Sequence, residues 1–338
     1  MTGQIDIQTS ELTSPAKGLE WQVTGQSLRF TLSDYTVCEY GFRALVAEPP
    51  VTVLLETPEP PLPPSESQDS SVVAAVIRNY PVTSPLSTFQ RVGPWVRYVP
   101  DGYTRFLVEK NGTFEQYLEK FSSKSRNTVR RKVKKFDQAA GGSCCFREYR
   151  TPAEASEFHK LATVVSDKTY QNRLFNEGLV LNEETRQRIN GLAEKGSLRG
   201  YLLSLRDEPV AFALCEAKAD VLLYKTVGYA PEHRDLSPGT VLLWHILKRF
   251  HESSESRYLD FGEGEDTYKE FFANRTFECA RVYYFKRKPL ALVAVLAHRS
   301  WHLAVNAARQ APGVPRLIAA FRRLLRRRAT GTVQPTTE

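Results

Sequence analysis

Tyr224 and Lys225 stand side by side in a strand-like run, and Ser237-Pro238-Gly239-Thr240 follows where a helix pattern begins. A strand that feeds a loop and then a helix N-terminus can cradle an anion, because free N–H groups and the positive end of the helix dipole meet there. The plain alternative is a tight turn with an ordinary cap, with Ser237 at the N-cap and Pro238 at the first helical position. A second stretch, Asp260-Phe261-Gly262-Glu263-Gly264-Glu265-Asp266-Thr267-Tyr268-Lys269, puts four acids, two glycines and a lysine at a strand end, where ligand-binding loops concentrate. Its spacing is not that of a calcium loop, and a solvated acidic loop is the competing reading. The third stretch, Lys120 to Lys135, holds eight basic residues and no acid. Arg126, Arg130 and Lys134 recur every four residues there, on a different face from Val129, Val133 and Phe136. Such a face suits phosphate in a nucleotide, coenzyme A, RNA or an acidic lipid, or it balances acidic surface elsewhere. Aromatic residues are not interleaved as single-strand binding would prefer.

Other chemistries lack their residues. There is no GxSxG, GxGxxG or phosphate-loop pattern, and none of the five cysteines has CxxC spacing, so neither a zinc site nor a disulfide framework is expected. His298 and His302 are four apart but have no acid between them, which favours packing histidines over ligands.

The elements that must position these groups can be read from periodicity and turn residues. Leu198–Arg206, Val210–Lys218 and Val221–Tyr229 form an antiparallel meander with hairpin-length connections. A helix over Pro238–His251, a strand at Arg257–Phe261, a short helix around Thr267–Phe272 and a strand at Arg281–Lys286 come next. Upstream, Thr113 and Gln116 fit a capping box, and Ser125–Ala139 reads as a helix stopped by Gly141-Gly142. Pro152–Asp167 and Asn182–Lys195 read as two more. Short strands are expected in Glu20–Glu56, including Val51–Leu55, and buried strands at Ser71–Arg78 and Arg105–Glu109. The Pro/Ser/acid-rich segment 57–71 is a loop. The order β-β-β-α-β-α-β predicts an α/β fold with a mainly antiparallel sheet flanked by helices.

With 41% hydrophobic and 25% charged residues, the 338-residue chain has the composition of a folded soluble protein. Its net charge of +8 is local: 289–338 carries eight arginines against one acid. Leu317–Arg328 reads as a basic amphipathic helix suited to an anionic membrane, or alternatively as a helix packed on the core. The polar N-terminus lacks a secretory pattern, so a cytoplasmic location is expected, with peripheral membrane attachment through the tail.

Taken together, the basic run Ser125–Lys132, Tyr224-Lys225 on a strand, Ser237-Pro238-Gly239 before a helix, and Asp260-Phe261-Gly262 leading to Tyr268-Lys269 resemble the GNAT-superfamily acetyltransferase-like domain found in cellulose and other polysaccharide biosynthesis loci. They are distantly similar to the Fem-type aminoacyl transferases. The resemblance implies a degenerate GNAT-like half over 1–110, a GNAT-like acyltransferase domain over 111–288 and a basic tail over 289–338. It implies direct transfer of an acyl group from acyl-CoA, as co-substrate and without a metal, to an amine or hydroxyl of a sugar, sugar nucleotide or peptide-like small molecule. Asp260, Glu263, Tyr224 and Lys269 would then be catalytic, Arg126, Arg130, Lys225 and Tyr268 would bind substrate, and Arg234, Ser237, Gly239 and Thr240 would hold the coenzyme. The alternatives are a Fem-like transferase that uses aminoacyl-tRNA and a non-catalytic scaffold. The loop 233–240 has a single glycine and a proline that lacks an N–H, unlike the glycine-rich pyrophosphate loop of ordinary GNAT enzymes.

Overall fold

The computed structural model describes residues 19–32, 35–54, 59–64, 69–142, 145–171, 182–264 and 266–310. In chain order the elements are β1 (Gln22–Leu32), β2 (Tyr35–Ala47), β3 (Val72–Pro81), β4 (Phe89–Val92), β5 (Trp95–Tyr98), β6 (Gly102–Glu109), α1 (Phe114–Leu118), α2 (Ser123–Ala139), β7 (Cys145–Tyr149), α3 (Pro152–Gln171) and α4 (Glu183–Glu194). They continue with β8 (Leu198–Leu205), β9 (Glu208–Lys218), β10 (Val221–Tyr229), α5 (Pro238–Glu252), β11 (Tyr258–Asp260), α6 (Thr267–Phe272), β12 (Arg275–Lys286) and α7 (Pro289–Gln310). The chain divides into two compact units, 103–278 and the discontinuous pair 1–102 with 279–338. The part of β12 from Cys279 on, and α7, belong to the first unit.

In the first unit β1 and β2 form a long antiparallel hairpin, β3 runs parallel to β2, and the later part of β12 pairs antiparallel with both β3 and β5. The first six residues of β3, VVAAVI, are apolar on both sides, as a central strand covered on both faces requires. Val51–Leu54 is a 3-10 turn and not the expected strand. The chain there is leaving β2 after Pro49 and Pro50, which cannot donate to a ladder. The apolar segment after Pro289 is a 22-residue helix. Ala291, Val295, His298 and Val305 are its buried side. His298 is within hydrogen-bonding distance of the Tyr98 hydroxyl at 2.7 Å and the Arg29 carbonyl at 3.1 Å, and Trp301 donates to the Thr31 carbonyl at 2.9 Å. Burial holds His298 below its ordinary pKa, with His302 adding to the shift. The amphipathic segment 317–328 lies outside the described residues.

In the second unit the strand order is β6-β11-β10-β9-β8-β7, antiparallel throughout except for β10 and β11. Strand alternation sorts side chains to two cores. Leu198, Leu202, Phe212 and Leu214 meet α3 and α4 with Phe158, Val165 and Ile189, whereas Tyr201, Leu203, Ala211, Ala213 and Cys215 meet α1, α2 and α5. Burial on both faces explains why these strands read as nearly continuous apolar runs. The Phe158 ring would lie 2.8 Å from a Cβ at position 200 and the Phe212 ring 2.5 Å from one at 228, so both positions are glycine. The chain is therefore an α/β protein with a mainly antiparallel sheet flanked by helices.

Candidate functional site

Strands β10 and β11 run parallel for three residue pairs only, Val221–Tyr258, Leu222–Leu259 and Leu223–Asp260. Beyond Asp260 the Phe261 N–H donates to the Phe106 carbonyl, so the chain stays with β6 while β10 runs on to Tyr229. The sheet opens there. At the same place β10 carries a bulge against β9, with Tyr224 opposite Cys215 and Thr226 opposite Leu214, which leaves Lys225 as the extra residue. A bulge breaks the ladder locally and re-aims its side chains. Sequence periodicity does not reveal this feature, because a bulge is one uncounted residue in a strand of otherwise ordinary alternation.

Tyr224, next to the bulge, is buried edge-on to Phe261, which is in turn edge-on to Tyr268. Burial raises the Tyr224 hydroxyl well above its ordinary pKa, and Tyr268 and Cys215 add to the shift. Burial, with Asp266 beside it, pushes Tyr268 up to about 12. Both phenols therefore keep their protons and can serve as donors or acids. Lys225 points outward and pairs with Glu216 at 2.5 Å.

Asp260 does not take the place of a free base. It is fully buried, and Arg105 lies side-on to it, with Nε 3.3 and 3.1 Å from the two carboxylate oxygens and Nη2 2.7 Å from Oδ2. The Gly262 N–H donates to Oδ1 at 2.8 Å. With these donors engaged, Asp260 anchors the turn that leaves the sheet. Lys269 is likewise an anchor. Its Nζ donates to the carbonyls of Glu263 at 2.8 Å and Gly264 at 3.3 Å and lies 3.4 Å from Asp266 Oδ2. Gly262 and Gly264 both have positive φ, which lets the loop close around that ammonium. The Glu263 side chain is exposed on this loop. Arg105 went unnoticed in the sequence because a lone arginine in a strand has no motif and its partner is 155 residues away.

Across β10, residues Pro231–Leu236 form a 3-10 turn that ends at Ser237, the N-cap of α5. Ser237 takes a left-handed conformation, φ 54° and ψ 48°, and its side chain makes no capping bond. Its carbonyl accepts from the N–H groups of Thr240 and Val241. Pro238 has no N–H, so Gly239 presents the one N–H of this first turn left without a partner among the described residues. The first turn of α5 carries no acid that would compete with an anion. Arg234 is exposed beside it.

Helix α2 flanks this turn. Lys135 donates to the Asp235 carbonyl at 3.0 Å and lies 3.7 Å from its carboxylate. Arg131 shares that face, one helical turn earlier, whereas Arg126 and Arg130 emerge on roughly the opposite side at 100° per residue. Lys135 is thus the α2 cation that contacts the turn before α5. The spacing of four singled out Arg126, Arg130 and Lys134 and did not point to Lys135. On another edge of the turn, Glu208, Glu232 and His233 come together, and the Lys168 ammonium bridges the two carboxylates at 2.5 and 2.8 Å.

Residues 123–270 match the family model described as acetyltransferase (GNAT) domain. No curated protein matches the chain. Among solved structures it is similar to FemX, with 10% identity over 81% of this chain and 90% of that one and a TM-score of 0.51. It also aligns with the C-terminal domain of a putative lysylphosphatidylglycerol synthetase from Agrobacterium fabrum, at 12% identity over 75% of this chain and 80% of that one, TM-score 0.44. L-PGS from Bacillus licheniformis aligns at 14% identity over 67% and 72%, TM-score 0.43. The fold of this chain is GNAT-like, and the acetyltransferase-domain match covers the helix, bulged strand, opening and loop that make up the candidate site.

Proposed function

We propose that the chain is an acyl transferase that moves an acyl group from a phosphate-bearing thioester, acyl-CoA, to an amine or hydroxyl. The observation that carries this reading is the opening between β10 and the loop after Asp260, with a bulge at Lys225 on one side and the α5 N-terminus beyond it. A donor lying with its phosphates at Gly239, Thr240 and Arg234, near Arg131 and Lys135, would direct its acyl carbon toward the bulge. Direct attack there needs donors for the developing oxyanion and an acid for the departing thiolate. Backbone amides freed by the bulge suit the first role and the protonated Tyr224, supported by Tyr268, suits the second. Glu263, exposed on the loop after Asp260, would receive the acceptor's proton. Asp260 and Lys269 act as positioning residues that hold that loop. The acceptor is proposed to be a sugar, sugar nucleotide or peptide-like small molecule.

A second reading, aminoacyl transfer from aminoacyl-tRNA, is favoured by one observation. The α5 N-terminus offers Gly239 alone where a pyrophosphate would engage several amides, while α2 exposes many cations to a larger polyanion. Thermal melts with acetyl-CoA, longer acyl-CoAs and charged tRNA separate the two, since a ligand of the native state raises the melting temperature with its excess over Kd. A shift with a thioester supports the first reading. A salt-sensitive shift with charged tRNA alone supports the second, and no shift with either overturns both.

A further inference from the structure

Helix α7 has an outward side that packing in the first unit does not account for. Its inward side is buried through Ala291, Val295, His298 and Val305. On the other side Leu290, Val293, Leu296 and Leu303 are 72, 63, 47 and 61% exposed. Ala297, Ala304 and Ala307 are exposed beside them, and at 100° per residue the whole set falls within an arc of about 140°. No charged residue interrupts that arc, and Ser300 is the one polar residue within it. A surface helix normally turns its polar side to water, so a five-turn apolar stripe marks a contact.

Charge identifies what the contact is with. Between Glu278 and Glu338 there is no acidic residue, while twelve residues are Lys or Arg. Lys286, Arg287 and Lys288 immediately precede the helix, Arg309 lies in its last turn, and six arginines follow within 316–328. A symmetric pair of copies joined through this stripe would bring like cationic flanks together. A fold-back of the chain's own end over the stripe would bring those arginines to a helix that has no acid to receive them. An anionic lipid surface satisfies both halves, since aliphatic side chains enter the boundary between headgroups and acyl chains while Lys and Arg meet phosphates. No helix among the described residues is long and apolar enough to cross a membrane, which leaves α7 lying on it.

We propose that α7 attaches the chain to anionic membrane, with Leu290, Val293, Leu296 and Leu303 as the inserted side and Lys286, Arg287 and Lys288 on lipid phosphates. This attachment stands apart from the acyl-transfer reading. The full chain is to be floated with vesicles of phosphatidylcholine alone and with phosphatidylglycerol added, beside the variant Leu290→Ser/Val293→Ser/Leu303→Ser. These three positions are exposed, so the variant should keep the wild-type melting temperature, which serves as the folding control. The expected result is flotation that needs phosphatidylglycerol, weakens in high salt and falls at least about tenfold in the variant. Equal flotation of variant and wild type overturns the proposal, as does binding indifferent to lipid charge. It is also overturned if the wild type stays off anionic vesicles and instead sediments as a dimer that the variant dissolves.

Discussion

Replacing Arg105 by methionine tests whether Asp260 anchors the loop or reacts. The carboxylate would lose guanidinium contacts at 2.7, 3.1 and 3.3 Å and keep, among the described residues, the Gly262 N–H at 2.8 Å, in a fully buried position. Breaking one side of a buried pair costs about 3–5 kcal/mol, because the remaining charge is left uncompensated. At about 1.4 kcal/mol per factor of ten, that is roughly a 100- to 3,000-fold loss in the folding constant of the unit formed by 103–278. A domain of that size loses about 2–4 °C per kcal/mol, so its melting temperature should drop by roughly 6–20 °C. Asp260→Asn should also destabilise, since it takes the carboxylate charge away from the buried guanidinium. The double variant Arg105→Met/Asp260→Asn should recover part of the loss, because neither full charge remains. Urea melts of the four proteins complete the cycle and give the coupling energy. If Asp260→Asn melts like the wild type yet has no turnover, or if the coupling is near zero, Asp260 is a reacting group and its anchoring role is wrong.

Tyr224→Phe should lower turnover by about 10²–10⁴-fold with an unchanged melting temperature, if its proton goes to the leaving group; full activity removes that role. Two glycines separate fold from site. Gly228→Ala sets a Cβ 2.5 Å from the buried Phe212 ring and should cost about 1–3 kcal/mol, whereas Gly239→Ala meets Tyr229 only at 3.6 Å and should melt normally, so any loss of donor affinity there reads on the site. Glu255 is held down to about 2 chiefly by Arg150, with Arg199 beside it, against an ordinary value of 4.5. The folded-state value is the depressed one, so the stability it contributes is complete above 4.5 and is lost as pH falls from 4.5 toward 2. Glu255→Gln should flatten the acid limb of the stability curve over that window, and parallel curves would show that solvent screens the pairing.

Much of the second unit was legible because its signals are local. The capping box at Thr113 and Gln116 forms as expected, β10 spans Val221–Tyr229 as read, and α5 begins at Pro238. Turn residues, caps and periodicity act within a few positions, so they survive without knowledge of the fold. Strand β7 went unread because it is a five-residue edge strand with only one fully buried side chain. The hairpin of β1 and β2 was read as shorter strands, and Val51–Leu54 as one of them, because β-branched composition alone does not tell a strand from the turn that leaves it.

The amino-acid order by itself determined most helices and strands of the second unit, where the cations gather, and that Tyr224, Ser237, Asp260 and Lys269 are candidates for the site. Tertiary structure alone decided what those groups do. Asp260 is bound to an arginine 155 residues upstream, Lys269 is spent on the loop's own carbonyls, and the bulge at Lys225 exists only against β9. The reason is physical. A side chain's protonation and freedom depend on the partners that burial brings to it, and those partners come from distant parts of the chain that no local pattern encodes.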